Sequence, residues 1–112
     1  MRLKVRSKVW LENNGVIVFG EGKSRLLKEI EKTGSINSAA RSMGISYRRA
    51  WAYVAAIEKR LGIKLVDRVR GGTSGGGSRL TRPGRDLVRK FEKLNRPVRD
   101  FTDIEFRKVF AK

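Results

Sequence analysis

The tetrapeptide Ser46-Tyr47-Arg48-Arg49, set directly after Gly44-Ile45, holds the side chains best placed to do chemistry in this sequence. Arginines at the start of a helix present a planar fork of donors that matches the O6 and N7 edge of guanine in a major groove, and Ser or Tyr beside them can reach phosphates or bases. Ala52, one turn further on, leaves room for the backbone to approach closely. This is the chemistry of recognition. Catalysis has little to work with, because the chain has no Cys and no His, so thiol nucleophiles, the commonest general base and the commonest metal ligands are missing. Asp67, Asp86, Asp100, Asp103 and Glu105 are scattered among arginines and read as surface ion pairs. No enzyme, cofactor or metal is expected.

A second group surrounds a glycine-rich run. Arg68, Arg70, Arg79 and Arg82 flank a tip composed of Gly, Thr and Ser that includes Thr73, Ser74 and Ser78. Cationic strands of this kind can rest on a phosphate backbone while the tip enters or crosses a minor groove. Arg41, in the short helix before Ser46, is assigned to phosphate as well. Trp51 could stack on a base or a sugar, but it lies beside the stripe Tyr47, Ala50, Val54, and core packing that orients the helix is the favoured expectation. Two decoys fail on spacing: the glycine a phosphate-binding loop needs ahead of Gly22-Lys23-Ser24 falls on Ile17, and the third glycine of a dinucleotide fingerprint after Gly20-Glu21-Gly22 falls on Arg25.

Positioning these groups requires a scaffold, and the periodicity supplies one. Leu3 to Leu11, then Asn13-Asn14-Gly15, then Val16 to Phe19 predict a leading β-hairpin. Leu26, Leu27 and Ile30 predict a helix from Gly22 to Thr33 closed by Gly34. Ser35 caps a second helix reaching Met43, and Ser46 caps a third whose Ala50, Val54, Ile57 and Leu61 recur at helical spacing up to Gly62. Small residues at Ala39 or Ala40 and a glycine in the turn suit two helices crossing as a helix-turn-helix. Lys64 to Thr81 reads as a second hairpin, the wing. Thr81 then caps a helix that should stop at Asn95, because Pro97 breaks it, and Val98 to Phe110 should form a separate helix. The fold expected is mainly α with small β-hairpins: a hairpin over 1–20, a winged helix-turn-helix over 21–82 and C-terminal helices over 83–112.

In bulk the chain is small and strongly basic, with 112 residues, 27 Lys+Arg against 11 Asp+Glu and a net charge of +16. Such an excess calls for a polyanionic partner, and double-stranded DNA is the first candidate. The basic excess is densest over 63–85, where six cations face one acid. No apolar run approaches a membrane span or the core of a signal peptide, so a cytoplasmic, nucleoid-associated protein is expected, with no membrane partner.

Gly34-Ser35-Ile36-Asn37-Ser38-Ala39-Ala40, Met43-Gly44-Ile45-Ser46-Tyr47-Arg48-Arg49-Ala50-Trp51, Leu65-Val66-Asp67-Arg68, the Gly-Gly-Thr-Ser-Gly-Gly-Gly-Ser run and Leu80-Thr81-Arg82-Pro83-Gly84-Arg85 together resemble the winged helix-turn-helix domain of the ModE-type molybdate-responsive regulators, within the LysR-like group. The resemblance covers about residues 20 to 95. It implies a homodimeric, site-specific DNA-binding transcription regulator whose reading helix begins at Ser46. ModE-like proteins continue into an oxyanion-binding module for which 112 residues leave no space, so molybdate is not carried over as an effector.

Leu87, Phe91, Leu94, Phe101, Ile104 and Val109 supply an apolar stripe for pairing two copies, each reading helix then lying about one helical turn of DNA (~34 Å) from its twin. The alternative is an architectural or chromatin protein that coats DNA without sequence preference, which the charge fits equally well. RNA is disfavoured for want of an exposed aromatic platform.

Overall fold

The computed structural model describes residues 2–69 and 77–111. Asn14 and Gly15 both take positive φ, 52° and 77°, and turn strand β1 (Trp10–Asn13) back into β2 (Val16–Gly20). The alternating Leu3 to Val9 does not join this hairpin. Trp10 already pairs with Gly20, where β2 ends and the first helix begins, so no partner strand is left for the residues before it.

Helix α1 (Glu21–Thr33) buries Ser24, Leu26, Leu27 and Ile30, and α2 (Ile36–Ser42) lays Ile36, Ala39 and Ala40 against it. Ser35 caps α2 by accepting a hydrogen bond from Ser38 N at 3.1 Å. Between α2 and α3 (Tyr47–Leu61) the chain reverses at Gly44, whose φ of 70° puts it in the left-handed region, and Ile45 N returns to Ala40 O at 3.0 Å. Ala39, Ala40 and Ala50 are all essentially inaccessible, so the helices cross where their side chains are smallest, as the spacing predicts. Ser46 caps α3 through Arg49 N at 3.1 Å.

The wing is the antiparallel pair β3 (Val66–Val69) and β4 (Gly77–Leu80). Arg70 and the tip, including Thr73 and Ser74, lie outside the described residues. Thr81 then opens α4 (Arg82–Phe110), accepting from Gly84 N at 3.0 Å while donating to Lys64 O at 2.6 Å. Gly84 lies so close to the Leu65 carbonyl that a Cβ there would collide with backbone, which makes this junction a close approach only glycine allows.

Two expectations about α4 are corrected. It is one helix through Pro97, where a break between two helices was expected. The hydrogen bond that Pro97 cannot donate would have gone to the Lys93 carbonyl, and both residues are exposed, so water can serve that carbonyl. Phe91 is also not on a free face: it is 3% exposed and meets Phe19 edge to face at 5.3 Å, inside the core made by α1, α2, α3 and the bases of both hairpins. Leu87 packs partly against that core. Further along, Leu94, Val98, Phe101, Ile104, Val109 and Phe110 are exposed.

Candidate nucleic-acid interface

Ser46, Tyr47, Arg48, Arg49 and Ala52 all reach the surface, on the first two turns of α3. Only Tyr47 of these is anchored by an aromatic neighbour, its ring standing edge-on to Trp51 at 6.4 Å. The opposite face of α3 carries Ala50, Val54 and Ile57 into the core, so the exposed arginines are held by a helix that cannot rotate without unpacking. Burying those three side chains removes enough apolar surface to contribute several kcal/mol, at about 25 cal/mol per Å².

Strand register sorts the wing residues. Arg68 faces Ser78 across the ladder and shares the inner side of the hairpin with Val66 and Leu80, whereas Asp67 and Arg79 stand opposite each other on the outer side. Ser78 is therefore buried, with its N donating to Gly34 O at 2.8 Å, and it is corrected from a surface contact to part of the wing's seat on α1. Arg68 folds inward over Trp51, its guanidinium 4.6 Å from the ring centroid. Arg79 and Arg82 are exposed, and Arg41 is exposed on α2.

Two carboxylates that the sequence reading passed over hold the wing in place. Glu58 on α3 accepts from Leu65 N at 2.8 Å and from Val66 N at 3.2 Å. Glu31 on α1 accepts from Leu80 N at 3.2 Å, beside Arg85, which donates to Leu80 O at 2.9 Å. For Glu58 the signal available was isolation, since it and Asp67 are the only acids from Arg41 to Arg82, against ten cations; Glu31, two residues from Glu29, carried no such signal. A lone carboxylate in so basic a stretch stands out, but which amides it serves depends on the fold.

The described ion pairs are confined to part of the surface, although among the described residues Arg25 on α1 and Arg107 on α4 also have no carboxylate within 4.0 Å. Lys28–Glu92, Arg85–Glu31, Arg89–Asp86, Arg96–Glu92, Arg99–Glu21 and Lys108–Glu105 all lie on α1 or α4. Among the described residues, Arg41, Arg48, Arg49, Arg68, Arg79 and Arg82 have no carboxylate within 4.0 Å. The broad groove between α1 and α4, about 1010 Å³, is lined by paired residues such as Lys28, Glu92 and Arg85 together with Lys32, Lys93 and Val88, and contains none of these six arginines. No described helix is long and apolar enough to cross a membrane.

This architecture has known counterparts. The chain superposes on the CbnR DBD–DNA complex with a TM-score of 0.59 at 16% identity, covering 81% of this chain and 97% of that one. The BenM DBD in complex with benA site 1 DNA gives 0.61 at 20% identity, with the same coverages. At such identities the likeness establishes the winged-helix fold. In sequence, the transcriptional regulator ModE of Haemophilus influenzae is 42% identical over 72 residues, which is 64% of this chain and 28% of the relative. The molybdenum-pterin-binding protein MopB of Rhodobacter capsulatus is 40% identical over 90 residues, 80% of this chain and 33% of the relative. The chain thus spans about a third or less of these relatives' length. The family model for bacterial regulatory helix-turn-helix proteins of the lysR family matches residues 23–85, from α1 through the wing to the start of α4. With that match over more than half of its residues, the chain belongs to the lysR family of bacterial regulatory helix-turn-helix proteins.

Proposed function

We infer that this protein binds duplex DNA site-specifically as a transcription regulator, with the first turns of α3 in the major groove. The observation that carries this reading is that every described arginine of α2, α3 and the wing lacks a carboxylate partner, whereas all the described ion pairs lie on α1 and α4. Arg48 and Arg49 read base edges, Ser46 and Tyr47 contact backbone or bases, and Ala52 allows close approach. Arg41, Arg68, Arg79 and Arg82 neutralise phosphates. The names of the relatives, a transcriptional regulator and DNA complexes of structural neighbours, agree with it.

The distal half of α4 pairs two copies through Leu94, Phe101, Ile104 and Val109, together with Val98 and Phe110. Their exposure on one helix, from 37% at Val98 to 70% at Val109, supports this, because so many large apolar groups on a protruding helix call for cover. Phe91 takes no part, being spent in the core.

Selection of bound fragments from random duplex DNA tests the reading. Recovery of an inverted repeat with half-sites about one helical turn apart is expected. Fragments indistinguishable from the input pool would overturn site-specific binding and leave only coating of DNA.

A further inference from the structure

Tyr47, Trp51 and Arg68 form a cluster that joins α3 to the wing, and the division of roles above gives Trp51 no part. Arg68 leaves β3 on its inner side, where the strand's other side chain, Val66, enters the core. Arg68 is still exposed on that side, and an aromatic face is one of the partners its guanidinium can take there. Among the described residues no carboxylate lies within 4.0 Å of Arg68, and the Trp51 ring takes it at 4.6 Å. Tyr47, one turn before Trp51, packs at 80° to the indole and steadies it.

The indole nitrogen makes a bland packing role a poor account of Trp51. Its Nε1 is buried with no hydrogen-bond partner. Phe or Leu would fill the same space without that desolvation cost. What Trp offers beyond them is the strongest π-face for a cation. Stacking uses only the flat face of the guanidinium and leaves its in-plane N–H groups free to reach an oxyanion. Arg68 remains exposed while stacked, so those donors are open to solvent.

We propose that Trp51 is a positioning residue for phosphate recognition: it holds the Arg68 guanidinium beside the first turns of α3, so that wing and reading helix present their cations to one DNA backbone as a single rigid unit. The arginine's rotamer freedom is then given up before DNA arrives, and less is lost on binding. This rests on the DNA-binding reading above, and concerns the sequence-independent part of it.

The test is a double-mutant cycle on affinity for a mixed-sequence DNA duplex, measured over a salt series. Arg68→Ala should weaken binding and lower the slope of log K against log salt by about 0.9, one phosphate contact. Trp51→Leu should weaken binding about three- to fivefold with the slope kept, because the charge is still present but no longer held. In the Arg68→Ala background the same change should cost nothing further. Should Trp51→Leu fail to fold, Trp51→Phe serves the same cycle, with about a twofold loss expected that vanishes once Arg68 is gone. Equal losses from the Trp51 change with and without Arg68 overturn the proposal and leave Trp51 as packing. An unmodified protein that binds no duplex, or binds without salt dependence, takes down the DNA-binding reading itself, and is read independently of the cycle.

Discussion

The surface of α1 and α4 and the surface of α2, α3 and the wing use the same cations to opposite ends. On the first, Lys28 lies 2.6 Å from Glu92, and Arg89, Arg96, Arg99 and Lys108 each lie within 4.0 Å of an acid. The second is drawn from the stretch 36–80, whose sequence carries nine cations against two acids. One of those two, Glu58, is committed to the Leu65 and Val66 amides, so it is in effect withdrawn from the surface field. What separates the two surfaces is where the carboxylates are, and the number of arginines decides little. Exposed pairs such as those on α4 contribute little stability, and their effect is to offset part of the positive charge along that helix.

The contrast can be broken at several points, beginning with the largest effect. Phe91→Ala removes the ring that packs on Phe19, and chemical denaturation should show a loss of about 3–5 kcal/mol, on the α4 side and in the core it serves. Gly84→Ala should cost about 1–3 kcal/mol, because the added methyl collides with the Leu65 carbonyl and forces the wing base away from α4; thermal melting would show it. Replacing Arg48 or Arg49 by Ala should reduce discrimination between a selected site and random DNA by about 1–3 kcal/mol while leaving the melting temperature unchanged. Phe101→Glu should shift sedimentation toward the single chain without altering the fold, since Phe101 is 65% exposed. At the small end, Arg96→Ala breaks a 4.0 Å exposed pair and should change neither stability nor DNA affinity by more than about 0.5 kcal/mol. A loss on Arg96→Ala as large as that on Arg49→Ala would erase the distinction between the two faces.

Much of the α2–α3 side was legible in the sequence. Ser35, Ser46 and Thr81 each cap the helix that the periodicity assigned to them, and Gly44 occupies the turn between α2 and α3. These are local devices: a hydroxyl three residues from an amide, or a glycine after the last turn, works wherever the segment lies. The α4 side was read less well. Leu87, Phe91, Leu94 and Phe101 look alike along the sequence, yet Phe91 is buried within the chain and Phe101 is bare. Pro97, a breaker by every local rule, sits inside a continuous helix because its unsatisfied carbonyl partner faces water. Ser78 moved from the tip to the seat of the wing for a similar reason: period-two alternation needs a register, and only pairing with Arg68 supplies it.

By itself, then, the sequence determined the helix starts and stops, the helix-turn-helix, the existence of a wing and the excess of positive charge, because capping, turn chemistry and composition act over a few residues. Only the tertiary structure decided which arginines stay unpaired, which aromatic side chain takes Arg68, and which part of the α4 stripe is core. Those outcomes depend on partners distant in the chain, such as Phe19 for Phe91 and Trp51 for Arg68, and no local periodicity encodes a distance between elements.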